Sequence, residues 1–514
     1  METDSYIRES MLKDDTYGFD ARMSRQITLF LIISLIISLL SGVKDTSGFF
    51  FPAARYFLGF LLILSFFLPS KIGIPLFFIL ILVGPDIVQI RSERMTSGEY
   101  NTASIWRLYL GPLRPSWIVA GAGVIHTIKN WQPISDKWLK ITLAWFATVP
   151  IFTGFIYGGF FTPVRGIEVP ADVRFALLLV MGAILFRGFL KKNIYEIETL
   201  AALFIGGIFG RHLCDMVYWA IDYGPMVGGT SVGSVDTVKS TVVFVMLFAI
   251  YLIMKRKKII TGSIIGILSV VLIIIYNARL IWVLAVLCCM LLMLLYGAKR
   301  AFIAIPIVLI LFLGGYKVIK IVRTESFEML SEKAESFKGG DSESSFFQRL
   351  DFLRYAEAAD SIAENAKRVA ILWGSGYGSY YRDTPIQFPS NLSDAHTEFS
   401  ASSGMYFYCH NFLFTTLFKY GVIGLIIILA LWIGPSWHAY KHIYDRQDTG
   451  MLNGILGCFI AFTPTMIINL YNSGKGVLLI GFIIALISAI NEQYTLNDNY
   501  VELETEDVPG VVEG

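Results

Sequence analysis

Apolar runs of roughly 15–22 residues, broken by short polar stretches, recur along most of this chain, and that rhythm limits the fold more than any other feature. A helix needs about 20 such residues to cross ~30 Å of hydrocarbon, where every backbone polar group must be satisfied within the span. Composition agrees: 55% of the 514 residues are hydrophobic and only 16% charged, against about 45–50% and 25% in soluble domains. The pattern predicts an all-α polytopic membrane protein with about fourteen transmembrane helices. A polar segment, 1–25, precedes the first span, so a cleavable leader is not expected. The first eleven spans fill 26–322, among them 115–128, 195–213 and 301–321, a large polar and partly helical loop follows at 323–408, and the last three spans fill 409–490. An acidic tail, 491–514, closes the chain.

Basic residues set the orientation. Arg22 and Arg25, Lys129 to Lys140, Lys191-Lys192, Lys255 to Lys258, Lys299-Arg300, and Lys441 with Arg446 fall at alternate span ends. Counting every span puts them all on one side, read as cytoplasmic together with both termini. The large loop then lies on the opposite, outer side. Arg91, Arg94, Arg107 and Arg114 break the rule, either as tolerated surface charge or as a basic rim for anionic head groups. A net charge of +2 excludes a broad nucleic-acid footprint. The five cysteines have no ligand-like spacing; a Cys214–Cys409 disulfide is conceivable but not favoured.

Three places carry chemistry. His410-Asn411 stands between the polar loop and the apolar run Phe412 to Trp432, where an imidazole can reach a lipid-borne substrate and still exchange protons with water. Arg279 caps a helical hairpin with almost no loop, either as a snorkelling anchor or as a cation turned towards a ligand. In the loop, Ser344 to Ala359 has helical apolar spacing and carries Arg349 and Arg354. Gly374-Ser375-Gly376-Tyr377-Gly378 follows and permits either close approach to a ligand or a tight turn. Arg211, with His212 and Asp86, sits near an outer span end and is a further substrate-binding candidate. Asp341-Ser342-Glu343 reads as turn chemistry, and neither His396 nor His410 has ligand-like neighbours, so no metal is expected.

Together these residues resemble the O-antigen ligase/polymerase superfamily, membrane glycosyltransferases of the GT-C type. The likeness rests on His410-Asn411, the nine residues Phe412 to Tyr420, then Gly421-Val422-Ile423-Gly424. Asn277-Ala278-Arg279-Leu280-Ile281-Trp282 is similar to a second family element, with alanine where serine is usual. Arg349 and Gly374 to Gly378 resemble a third, with Leu372-Trp373 where a proline is usual. The resemblance covers roughly 259–436. It implies transfer of glycan from undecaprenyl diphosphate at the outer, periplasmic leaflet of a bacterial inner membrane, without cofactor or metal. Arg279 and Arg349 would hold the diphosphate, and His410 would act as base. Asn411, Arg354, Gly376, Gly378 and Arg211 would contact substrate. Both donor and acceptor would be lipid-linked glycans, with a chain-length regulator as a further partner. The span count favours a polymerase, with a ligase as the alternative and a lipid-glycan flippase as a reading from another class.

Overall fold

The computed structural model describes residues 21–39, 50–83, most of 121–129, 137–158, 168–190, 194–221, 239–296 apart from 255, 257 and 277–278, isolated positions within 306–317, 346–383, 403–446 apart from 410, 451–468 and 476–491. Helices account for nearly all of it. The sole strand-like feature among the described residues is an isolated bridge between Tyr381 and Tyr406. In chain order the helices are α1 (Ala21–Leu39), α2 (Phe50–Phe67), α3 (Ser70–Phe78), α4 (Lys137–Thr153), α5 (Glu168–Leu190), α6 (Ile194–Ile221), α7 (Val242–Met254), α8 (Ile259–Ile275), α9 (Arg279–Leu295), α10 (Phe346–Lys367), α11 (Phe412–Arg446), α12 (Met451–Ile468) and α13 (Gly476–Asn491). Single π-turns close α3 and α4, and a 3₁₀ turn, Lys239–Thr241, opens α7.

Burial follows sequence pattern. Every residue from Val242 to Leu252 is buried, as is nearly all of Val477 to Ile490, so α7 and α13 are central, in keeping with helices that are apolar all round. Phe204 of α6 sits at the middle of the core. Its ring meets Phe244 of α7 at 4.8 Å, Phe459 of α12 at 4.9 Å and Phe482 of α13 at 5.7 Å. Peripheral helices instead show apolar stripes outward: Leu29, Ile32 and Ile36 on α1; Val283, Val286, Met290 and Leu294 on α9. Patches that extensive are costly in water and are accommodated by lipid. Four helical stretches, Ala21–Leu39, Lys140–Tyr157, Ile197–Val217 and Leu413–Lys441, are long and apolar enough to cross a bilayer, and shorter apolar helices surround them. The chain is a membrane protein built from helices.

Two boundaries differ from expectation for physical reasons. The first helix begins at Ala21 and so contains Arg22, whose guanidinium pairs with the buried Glu198 of α6. Helix α6 runs to Ile221, beyond the expected end at 213, because Arg211, His212 and Asp215 find partners inside the bundle. The expected span at 301–321, most of that at 115–128, the rim arginines 91–114 and both termini lie outside the described residues.

Short connections determine which helix ends lie together. Three residues link α5 to α6 and three link α8 to α9, so these pairs run antiparallel. One end of the bundle therefore gathers the C-termini of α4, α6 and α8, the N-termini of α5, α7 and α9, and, through the contacts described next, the head of α11.

Candidate functional site

Helix α11 is broken. Gly421 has φ 68° and ψ −175°, which splits the run into a half-helix, 412–420, and a long helix, 422–446. An unbroken helix would bond the Val422 amide to the Phe418 carbonyl and the Ile423 amide to the Lys419 carbonyl. Here Val422 N donates to Ile371 O and Ile423 N to Leu372 O, both at 3.0 Å. The abandoned carbonyls are taken by the same loop: Ser375 N donates to Phe418 O at 2.8 Å and Gly376 N to Lys419 O at 2.9 Å. All four groups freed by the break are satisfied by residues 371–376. Without that plug each would cost several kcal/mol in an apolar surrounding.

Glycine makes the approach possible. Gly374, Gly376 and Gly378 all have φ between 74° and 79°. A Cβ on Gly374 would collide with the Lys419 carbonyl, one on Gly421 with the Leu372 carbonyl, and one on Gly376 with the Gly154 amide in the π-turn of α4. Tyr377 N donates to Pro150 O at 2.9 Å. Gly424 admits Trp145 of α4 beside its own turn. The close approach that the glycines permit is therefore to protein backbone, and Gly376 and Gly378 are buried in it.

A buried ion pair ties this junction to α5. Lys419 Nζ lies 2.8 Å from Asp172 Oδ2, with side-chain exposures of 1% and 2%. The same ammonium donates to Ser379 O at 2.7 Å, and the same carboxylate oxygen accepts from Gly378 N at 2.7 Å. Phe407, Tyr408 and Phe418 present rings to the ammonium at 5.3–5.9 Å. Sequence reasoning passed over both residues. The available signal was Lys419, a lone charge within an apolar run, which in a membrane protein marks a paired or functional group; Asp172, between Glu168 and Arg174, gave none.

The half-helix also seats the loop helix. Asn365 of α10 donates to Leu417 O at 2.9 Å and accepts from Ser375 Oγ at 2.6 Å. Further along α10, the Glu357 carbonyl accepts from Cys409 Sγ at 3.8 Å. Asn411 caps the half-helix, its Oδ1 accepting from Leu413 N at 2.9 Å, as asparagine does at an N-terminus. Thr415 Oγ1 bonds both the amide and the carbonyl of Cys409. His410 itself lies outside the described residues, but Cys409 and Asn411 hold the chain on either side of it. Arg349 is on α10, eight residues before Glu357 and hence about 12 Å along the axis; its side chain lies outside the described set. Arg354 is exposed.

Two buried carboxylates on α10, Glu357 and Asp360, stand near this head and were also missed. Burial first, then Cys409, and then Glu357 and Asp360, hold the Tyr381 hydroxyl well above the usual tyrosine range. Burial, with Glu357 next, pushes the Cys409 thiol up to about 12. Cys214 and Cys409 are free and buried, so the disulfide does not form.

A second polar cluster occupies the same end of the bundle. Arg211 Nη1 pairs with Asp215 Oδ1 at 2.5 Å, and Tyr276 OH donates to Asp215 Oδ2 at 2.7 Å. His212 bridges Tyr276 OH at 2.6 Å and Thr241 Oγ1 at 2.9 Å, while Lys239 lies over the Tyr276 ring. If Tyr276 donates its only proton to Asp215, its oxygen accepts from His212 Nδ1–H. Tyr276 ends α8, and Arg279 begins α9 three residues later, so this network braces the turn that carries Arg279. Trp282 adds a bond from its indole to Ile273 O across the hairpin at 3.1 Å. The Arg279 side chain lies outside the described residues, and no described contact joins the two clusters. Arg211, expected at substrate, is buried against Asp215.

Among the described residues no group of three His, Cys, Asp or Glu side chains could hold a metal ion. Asp86, Asp341, Glu343 and His396 lie outside that set. Comparison with models of known protein families finds no match, and comparison with curated proteins finds none either.

Proposed function

We propose that this chain polymerises undecaprenyl-diphosphate-linked oligosaccharide repeat units at the outer leaflet of a bacterial inner membrane. His410 takes the proton from the acceptor hydroxyl as the sugar carbon is attacked and the diphosphate departs. A base whose pKa lies near working pH suits that step. Diphosphate is a competent leaving group, and its developing charge calls for cations rather than a strong acid. Arg279 and Arg349 supply planar, bidentate donors to its oxygens. Asn411, next to His410 in the chain, caps the half-helix.

One observation carries the reading: a polar loop is built into a broken apolar helix, and Cys409, the residue before His410, bonds the helix that bears Arg349. Broken helices at membrane depth are tolerated where they are buried in protein or line a cavity, and they recur at binding sites. A flippase accounts for cations at a span end but not for a loop welded into the break of that helix. A ligase uses the same donor and differs in acceptor, lipid A-core.

Deleting the gene separates these. Single repeat units on lipid A-core indicate a lost polymerase, and long chains left on undecaprenyl diphosphate indicate a lost ligase. Normal surface glycan in the deletion strain contradicts both. Because arginines neutralise the leaving group, transfer by the purified protein is expected to survive excess EDTA; loss on chelation, restored by magnesium or manganese, contradicts that assignment.

A further inference from the structure

We infer that the buried Asp172–Lys419 pair is a positioning latch: it selects the broken form of α11 and thereby sets where Cys409, at the head of the half-helix, stands against α10. The consequence for catalysis rests on the reading of His410 as the base; the latch itself does not.

Two arrangements are open to this helix. Phe418 O, Lys419 O, Val422 N and Ile423 N can bond one another, as in a continuous helix, or each can bond the loop, as observed. The four groups are satisfied in both cases. Undocked, Ile371 O, Leu372 O, Ser375 N and Gly376 N would turn to water. Hydrogen-bond number therefore separates the two arrangements weakly, and something else must choose.

The pair is the group placed to choose. Asp172 belongs to α5, Lys419 to the half-helix, and the Gly378 amide and Ser379 carbonyl to the loop; the Asp172 carboxylate and the Lys419 ammonium bond all of them. In the continuous helix the turn at Gly421 would straighten and the loop would leave, which removes the Ser379 carbonyl from Lys419 and the Gly378 amide from Asp172. A buried ion pair adds little net stability compared with apolar residues of similar volume, because desolvation offsets the attraction. Its best-attested use is to specify one register among several. Here the alternative register is explicit, and the residues that would change it are named.

The test uses the full-length chain in nanodiscs, its five cysteines replaced, with a single Ser379→Cys probe. Ser379 is fully buried at the latch. Asp172→Asn alone leaves Lys419 buried without its counter-ion and is prone to misfold, so the informative variant is Asp172→Leu with Lys419→Met, which removes both charges. The latch predicts an inserted, monodisperse protein whose Ser379→Cys reacts with maleimide at least tenfold faster than in the parent. It also predicts a fall in kcat with KM for lipid-linked glycan little changed, since the loop head moves while the substrate cations remain. Unchanged labelling overturns the latch whatever the protein catalyses. Fast labelling with full transfer activity overturns the positioning role. Hydrogen exchange on the unmodified chain gives a second reading: the Ser375 and Gly376 amides are expected to be protected like those of Val422 and Ile423. Exchange at open-loop rates would overturn the docked arrangement. If the parent transfers no glycan at all, the functional reading fails, and labelling and exchange still decide the latch.

Discussion

Gly404 and Gly421 both hold a left-handed backbone, with φ 62° and 68°, yet their surroundings separate them. A Cβ on Gly404 meets only Asp383 Oδ1 at 3.9 Å, ordinary contact. Gly404→Ala is expected to cost about 1–2 kcal/mol, the left-handed penalty alone. A Cβ on Gly421 collides with the backbone of Leu372 and Gly374. Gly421→Ala therefore undocks the loop, and its thermal midpoint in detergent is expected to fall several degrees further than that of Gly404→Ala. Equal losses would remove the steric argument for the junction. The glycines were legible in the sequence as a motif, Gly374 to Gly378 and Gly421 to Gly424. What they approach was not, because the partner residues lie 45 positions away for Gly374 and more than 200 for Gly376 and Gly378, and local pattern carries no record of them. Lys419 left a weaker trace still, one charge inside an apolar run, and Asp172, between Glu168 and Arg174, left none.

At the scale of elements, apolar periodicity located the helices well and their ends less well. The reason is visible in α6: a sequence reading ends the span at 213, whereas the helix continues to Ile221 because Asp215, Tyr276 and Thr241 satisfy its polar residues. The break in α11 was likewise hidden, since Phe412 to Trp432 reads as one apolar run. Two elements carry the proposed cations, the α8–α9 turn and α10, and both bear on the same prediction. Lysine is a point charge and lacks the forked geometry of arginine. Arg279→Lys and Arg349→Lys are each expected to lose most transfer activity, whereas Arg354→Lys, on the exposed face of α10, should retain it. Full activity in both of the first two variants would reduce them to helix anchors.

For the whole molecule, the decisive expectation concerns sidedness. The helix connections gather the Arg279 turn, Asp172, the Arg211 cluster and the head of α11 at one end of the bundle, and from the basic residues we expect the opposite end to face the cytoplasm. In a cysteine-free background, Ser342→Cys is expected to react with an impermeant maleimide in intact cells. Lys257→Cys and Glu506→Cys should react only after permeabilisation. Labelling of Ser342→Cys and Glu506→Cys from the same side would contradict the expected orientation and separate the loop from the proposed lipid-linked substrate.

Catalysis at the head of the half-helix is the central claim, and reconstitution tests it most directly. Purified full-length protein in proteoliposomes, given an undecaprenyl-diphosphate-linked oligosaccharide, is expected to yield a ladder of longer lipid-linked glycans. His410→Ala, equally well inserted, should slow that synthesis by about 10²–10⁴-fold, the usual loss for a positioned base. A ladder of normal length and rate from His410→Ala would contradict the account.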